Sequence, residues 1–105
     1  MERDKRTVSR RRTRLRSGKL ARPDGTFLID CIIHDRSEEG AHLRVATSES
    51  VPDHVLLFDD ELSSLMPAEV AWRRPEEVGI RFMPDLKTSG ARAIARNLTG
   101  KYYAV

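Results

Sequence analysis

The residues of this sequence best suited to binding chemistry lie in a polar turn that runs from Asp35 to Gly40. The turn reads Asp-Arg-Ser-Glu-Glu-Gly and separates two apolar, strand-like runs. Asp35 supplies a carboxylate that accepts hydrogen bonds, and Ser37 supplies a hydroxyl that donates to a phosphate or caps the turn. Gly40 permits the positive φ that restarts the next strand, or it lets a ligand approach the backbone closely. Taken alone, this D-x-S-x-x-G pattern is typical of an ordinary turn.

A cluster of arginines near the N-terminus changes that interpretation. Residues 1–22 contain ten Lys/Arg and two acids, a net charge of +8, whereas residues 23–105 carry −5. Several arginines are four residues apart, as in Arg6/Arg10 and Arg10/Arg14. A guanidinium grips a phosphate or the O6/N7 edge of guanine with two parallel hydrogen bonds, and a carboxylate accepts from the opposite guanine edge. The arginine cluster and the polar turn together predict a site for an anionic, guanine-containing ligand.

Other chemistry finds little support in the sequence. Cys31 and His34 are three apart in a strand-like run, which places them on opposite faces, so we predict no metal site. His34, Asp35 and Ser37 are neighbours in one turn and cannot align as a catalytic triad. The acidic run Asp59 to Glu61 ends a strand, and we expect a solvated turn there. Glycine-rich phosphate loops are absent. We therefore predict that the protein is not an enzyme.

Short strands must position the turn. Six strand-like segments separated by turn signals predict an antiparallel barrel or sandwich, because closure protects the sheet edges. The segments are TRLRSGKLA, TFLIDCIIH, AHLRVA, HVLLF, PAEVAW and VGIRF. The apolar residues then shift to a helical spacing at Ala91, Ile94, Ala95 and Leu98, with Thr88 or Ser89 as N-cap and Gly100 as a stop. This short C-terminal helix is expected to pack on the barrel.

Strand alternation also predicts which side chains form the core. In the second strand, Phe27, Ile29, Cys31 and Ile33 share one face. Both faces of that strand are expected to be covered. In the fifth strand, Trp72 shares a face with Ala68 and Val70, and we predict that it belongs to the core rather than to a ligand-stacking surface.

Length and composition bound the remaining possibilities. The chain has 105 residues, of which 39% are apolar and 33% charged, as expected for one small globular domain. We divide it into an arginine-rich arm (1–12), a barrel (13–84) and a helix with tail (85–105). No apolar run approaches the roughly 20 residues of a membrane span, and no secretory signal is visible, so a cytoplasmic location is expected. Aromatic residues are too few for a single-stranded nucleic-acid platform, which makes nucleic acid an unlikely partner.

The arginine cluster and the turn together resemble the PilZ domain family, whose pattern is an RxxxR arm followed one hairpin later by [D/N]xSxxG. The second motif is complete as Asp35-Arg36-Ser37-Glu38-Glu39-Gly40. The segments AHLRV, AEVAWRR and EEVGIRF look like the later strands of the family. The resemblance covers roughly residues 6 to 84.

The resemblance implies a six-stranded antiparallel β-barrel with a C-terminal helix, in a bacterial receptor for cyclic di-GMP. It implies that the motif arginines bind phosphates and guanine faces, that Asp35 binds a guanine edge, and that Ser37 and Gly40 shape the phosphate-facing turn. The arginine register stays open: Arg6/Arg10 and Arg10/Arg14 both fit, while Arg12/Arg16 runs too far into the first strand. Ligand binding would order the arm and alter contacts with a downstream protein partner. The alternative is a PilZ-like interaction module that does not bind cyclic di-GMP.

Overall fold

The fold was analysed in a computed structural model, which describes residues 15–86, 88 and 90–99. These described residues contain six strands and one helix, and all six predicted strands and the predicted helix are confirmed. The strands are β1 (Arg16–Ala21), β2 (Phe27–Arg36), β3 (Gly40–Val45), β4 (His54–Asp59), β5 (Ser64–Arg74) and β6 (Glu77–Phe82); the helix is α1 (Ala91–Thr99). A short 3-10 turn, Ser48–Ser50, lies between β3 and β4.

The strands close into a barrel in the order β1-β2-β3-β6-β5-β4, and every neighbouring pair is antiparallel. The barrel closes where β1 pairs with β4, from Gly18 opposite Asp59 to Ala21 opposite Leu56. Closure leaves no open edge in the sheet formed by these described strands. The predicted six-stranded antiparallel barrel with a C-terminal helix is confirmed.

The barrel interior is filled by side chains that alternate along each strand. Twelve buried residues from the strands and the loop before β4 form this core: Leu20, Cys31, Ile33, Leu43, Val45, Val51, Val55, Leu57, Ala68, Val78, Ile80 and Phe82. One predicted face was wrong. Phe27 pairs with Ala21 while Ile29 pairs with Leu20, so a bulge at Leu28 turns Phe27 to the outside of the barrel.

Helix α1 covers the outer face of β1 and β4. Ile94 and Leu98 pack against Leu56 and Phe58, which alternation directs away from the barrel interior. Gly25 ends the turn between β1 and β2 with a φ of 96°, and a Cβ at that position would lie 2.6 Å from Ile94. The glycine therefore serves both the turn and the docking of the helix. The rest of the outer surface of β2 is not covered as predicted, because Asp30 and Ile32 are exposed.

The predicted arm, residues 1–12, and the candidate arginines Arg6, Arg10 and Arg14 lie outside the described residues, as does Ser89. Within the described residues, no helix is long and apolar enough to cross a membrane.

Candidate functional site

A β-bulge near the end of β2 decides where Asp35 faces. Ile33 is buried opposite Leu43, and strict alternation would direct Asp35 into the same interior. Instead Asp35 is opposite His42, so His34 is an extra residue in the strand. Asp35 therefore lies on the outer surface, where it is exposed. No residue in the described part of the chain forms a hydrogen bond or ion pair with its carboxylate.

A second bulge, in β5, decides where Trp72 faces. Val70 is opposite Ile80 and packs on the barrel core, but Trp72 is opposite Gly79, so Ala71 is the extra residue. Trp72 consequently lies on the outer surface with 41% of its area exposed. The prediction of a core tryptophan was wrong, because it assumed an uninterrupted alternation from Ala68 onward.

The two bulges lie on either side of one residue pair, His42 in β3 and Gly79 in β6. Asp35 in β2 pairs with His42, and Trp72 in β5 pairs with Gly79. We call these four neighbouring positions the outer row: Asp35, His42, Gly79 and Trp72. The indole of Trp72 occupies the space above Gly79, where a Cβ would lie 2.1 Å from Nε1. Its ring centroid is 5.4 Å from that of His42, which in turn stacks on His34 at 5.3 Å. The outer row thus presents flat ring faces beside a carboxylate.

Ser37 organises the turn that follows Asp35. Its Oγ accepts hydrogen bonds from the backbone N–H groups of Glu39 at 3.1 Å and Gly40 at 3.3 Å, and its own N–H donates to the Gly40 carbonyl at 2.9 Å. A serine hydroxyl has two acceptor lone pairs and one hydrogen. The two backbone amides use the lone pairs, so the remaining hydrogen is the group that can be donated to a phosphate. Ser37 can fill both predicted roles at once.

Gly40 is required by a close strand approach rather than by a positive φ. In the described residues, the glycines with positive φ are Gly25 and Gly90. A Cβ on Gly40 would lie 2.1 Å from the carbonyl oxygen of Ile80 in β6. Immediately beside this contact, the Phe82 N–H donates to the Glu39 carbonyl at 2.8 Å, which ties the turn to the barrel. The sequence raised a positive φ or the approach of a ligand, whereas the atom that crowds Gly40 belongs to the neighbouring strand β6.

Charges around the outer row centre on Glu77. Its carboxylate lies 2.9 Å from His42 Nε2, and Arg44 and Arg74 are at 4.0 and 3.9 Å. The hydrogen bond with His42 holds the pKa of the Glu77 carboxyl below its usual value, with the two arginines acting in the same direction. Arg74 also lies over the Trp72 ring, 5.2 Å from its centroid. Glu77 therefore fixes the ring of His42 next to Trp72.

One end of the barrel is closed by an ion-pair cluster that we call the end cluster: Arg16, Arg36 and Asp59. Asp59 is fully buried, contrary to the solvated turn expected for the acidic run. Arg36 reaches it because the bulge at His34 turns Arg36 inward as it turns Asp35 outward, and its guanidinium lies 4.8 Å from the Phe82 ring. Arg16, at the start of β1, is thus held by a buried carboxylate.

No group of three or more potential metal ligands occurs in the described residues. Cys31 is buried in the barrel core, and burial raises the pKa of its thiol to about 12. A thiol of this kind is neither a good nucleophile nor a metal ligand at neutral pH. An open groove of about 480 Å³ runs along β2 beside Cys31, and its lining includes Asp30, Ile32, Arg44 and Glu76. Apart from these exposed side chains, no polar side chain among the described residues lines the groove.

The sequence was compared with known proteins. Residues 4–100 match the family described as PilZ domain. The chain belongs to the PilZ domain family. No curated protein matches the chain significantly. The PilZ match spans the arginine cluster, the barrel and α1. It extends beyond residues 6 to 84, the range that carries the resemblance in the sequence.

In this PilZ domain, the structure brings Asp35, Ser37 and Gly40 together at the end of the outer row, as the motif predicted. Their roles in ligand binding remain predictions. Two features escaped sequence reasoning: the exposed Trp72 and the buried Asp59. The spacing of Trp72 from Ala68 and Val70 does not indicate the bulge in β5. For Asp59, the excess of arginines near the ends of β1 and β2 was the one available signal that a carboxylate would be needed inside.

Proposed function

We propose that this PilZ domain is an effector that binds cyclic di-GMP on the outer row and the adjoining turn. The observation that carries the proposal is the outward-facing carboxylate of Asp35, which has no hydrogen-bond or ion-pair partner among the described residues and lies next to the Ser37 hydroxyl. A carboxylate held in this way accepts from the N1–H and N2–H₂ groups of guanine, and the hydroxyl donates to the neighbouring phosphate. Membership of the family supports the same ligand.

The arginine arm supplies the complementary charge. Cyclic di-GMP carries two phosphates, and the segment before β1 contributes most of the +8 charge of residues 1–22. Guanidinium groups four residues apart in the sequence can each pair with a phosphate or a guanine face. Arg10 belongs to both candidate pairs, Arg6/Arg10 and Arg10/Arg14. Binding would order the arm across the outer row, and the changed surface would be recognised by a downstream protein.

Trp72 and His42 give the ligand a surface to stack on. The indole is exposed, held over Gly79, and lies in the same row of strand positions as Asp35. Stacking of a base on an aromatic ring contributes about 1–3 kcal/mol, and a flat surface beside a guanine-edge acceptor selects a purine over a bare phosphate. This arrangement distinguishes cyclic di-GMP from inorganic anions, which the arm alone would attract.

Isothermal titration calorimetry of the full chain with cyclic di-GMP tests the proposal. We expect binding by wild type and a loss of about tenfold to 150-fold for Asp35→Ala, because hydrogen bonds to a charged group contribute about 1.5–3 kcal/mol. Arg10→Ala should weaken binding to a similar degree. Glu38→Ala is the matched control, since Glu38 is an exposed acid of the same turn and its loss changes the net charge equally.

Two outcomes would contradict the proposal. Absence of heat with wild type at tens of micromolar ligand would favour the alternative, an interaction module that uses the barrel surface without cyclic di-GMP. Equal affinities for Asp35→Ala and Glu38→Ala would show that the ligand is attracted by the arm's charge and not recognised by the turn. In that case the affinity would also fall steeply with salt concentration, as for nonspecific anion binding.

A further inference from the structure

The buried carboxylate of Asp59 joins two segments that are far apart in the sequence. Its Oδ2 accepts from Arg16 Nη2 at 2.8 Å and from Arg36 Nη1 at 3.0 Å. Its Oδ1 accepts from the backbone N–H groups of Glu61 at 3.0 Å and Leu62 at 3.2 Å. One oxygen therefore holds the turn after β4, while the other holds two guanidinium groups together.

The two arginines lie in the two segments of the proposed ligand site. Arg16 begins β1, where the chain from the arginine arm enters the barrel, and we call this point the root of the arm. Arg36 lies within the D-x-S-x-x-G turn. Arg36 is the residue between Asp35 and Ser37, so its side chain fixes the turn from the inside. Arg16 is the first residue of β1 and comes two residues after Arg14, the last of the three candidate arginines. Two residues of extended chain span at most about 7 Å. The end cluster thus determines where the arm leaves the barrel relative to the turn.

We propose that Asp59 is a positioning residue for cyclic di-GMP binding, which it promotes by holding the root of the arginine arm beside the D-x-S-x-x-G turn. This role rests on the proposed function. It needs no contact between Asp59 and the ligand, because the carboxylate is completely buried. The physical reason is entropic: each additional residue that must be ordered during binding lowers the binding constant by roughly tenfold. An arm whose root is already fixed avoids part of that cost.

Asp59→Asn tests the role selectively. The asparagine Oδ1 can still accept from the two backbone amides of the turn, but its NH₂ group would face Arg16 and Arg36 and cannot accept from them. Arg16→Gln is a milder second variant, because Asp59 keeps its bond to Arg36. Asp53→Asn is the matched control: Asp53 pairs with Arg73 at 2.9 Å and lies before the opposite end of β4, about 20 Å away along the strand.

Calorimetry with cyclic di-GMP should give an affinity about tenfold weaker for Asp59→Asn and Arg16→Gln, and an unchanged affinity for Asp53→Asn. The stoichiometry should stay that of wild type, whereas simple loss of folded protein would lower the stoichiometry and leave the affinity unchanged. A second readout needs no ligand. Energy transfer from Trp72, the single tryptophan, to an acceptor on Thr13→Cys should show a broader distance distribution in the Asp59→Asn background.

The failures of the two proposals are distinguishable. If wild type binds cyclic di-GMP and Asp59→Asn and Arg16→Gln bind it equally well, the positioning role is overturned and the proposed function stands. An unchanged distance distribution in Asp59→Asn would overturn the positioning role as well. If wild type produces no heat, the proposed function falls and the positioning role falls with it.

Discussion

Substitution of Gly40 by alanine should damage the barrel itself, which separates the structural role of this glycine from the ligand-binding role proposed for Asp35 and Ser37. The new Cβ would lie 2.1 Å from the Ile80 carbonyl oxygen, whereas real contacts of this kind keep at least 3.0 Å. Strands β3 and β6 would have to separate by about 0.9 Å. The bond from the Phe82 N–H to the Glu39 carbonyl, now 2.8 Å, would then exceed the length of a hydrogen bond.

The expected cost follows from these contacts. Loss of one or two backbone hydrogen bonds contributes about 1 kcal/mol each, and the overpacked strand pair adds about 1–3 kcal/mol. We therefore expect Gly40→Ala to lower the free energy of unfolding by about 2–5 kcal/mol. For a domain of this size that corresponds to a fall in Tm of roughly 8–40 °C.

Thermal unfolding followed by circular dichroism measures the effect, with guanidinium unfolding as a check on the free energy. Glu38→Ala is the control, because it changes an exposed side chain of the same turn and should leave Tm within a few degrees of wild type. A Gly40→Ala variant as stable as Glu38→Ala would refute the reasoning. It would mean that β6 moves aside at little cost, and that the glycine is needed for another purpose.

Three further predictions concern the outer row and the core. Trp72→Ala should weaken cyclic di-GMP binding in calorimetry by about 1–3 kcal/mol, and Trp72→Phe, which keeps a flat ring, should retain most of the affinity; equal losses would argue against stacking. Cys31, with its pKa raised to about 12 by burial, should react with a thiol reagent at pH 8 only after denaturant is added; rapid labelling of the native protein would contradict its burial. Since the hydrogen bond with His42 lowers the pKa of Glu77, its contribution to stability is present above pH 4.5 and lost as the pH falls through the lowered value. Glu77→Gln should accordingly lose less stability than wild type between pH 5 and pH 3 in guanidinium unfolding.

The strands and the polar turn could be predicted from the sequence because their signals are local. Period-two alternation in β3 and β6, and the turn residues between Asp35 and Gly40, depend on neighbouring positions only. The same holds for α1, whose Ile94 and Leu98 were expected to face the barrel and do so. Closure of the sheet between β1 and β4 had no local signal and was implied by the family resemblance.

The burial of Asp59 could not be predicted for a different reason. An acidic residue at a strand end is usually solvated, and its partners here are 43 and 23 residues away in the sequence. The cost of removing a carboxylate from water is offset only because two guanidinium groups and two backbone amides meet at one point. That meeting is a property of the closed barrel and of the inward direction of Arg36, neither of which is visible in the segment Asp59 to Glu61.

The bulges explain why the site and the ends of the barrel are built by the same few residues. An extra residue in a strand reverses the face of every residue that follows. In β2 the bulge sends Asp35 outward and Arg36 inward to Asp59. In β5 the bulge sends Trp72 outward, and Arg73 caps the opposite end of the barrel by donating to the carbonyls of the loop before β4.

Both bulges oppose the single pair formed by His42 and Gly79, so the two exposed groups are carried to the same row. In each bulged strand, an outward-facing group is therefore followed directly by an arginine at one end of the barrel: Asp35 by Arg36, and Trp72 by Arg73. The outward-facing Asp35 and Trp72 and the arginines at the two barrel ends are consequences of the same two register shifts. Without its bulge, either strand would turn its outward group, Asp35 or Trp72, toward the core, and the arginine that follows would face outward instead of closing the corresponding end.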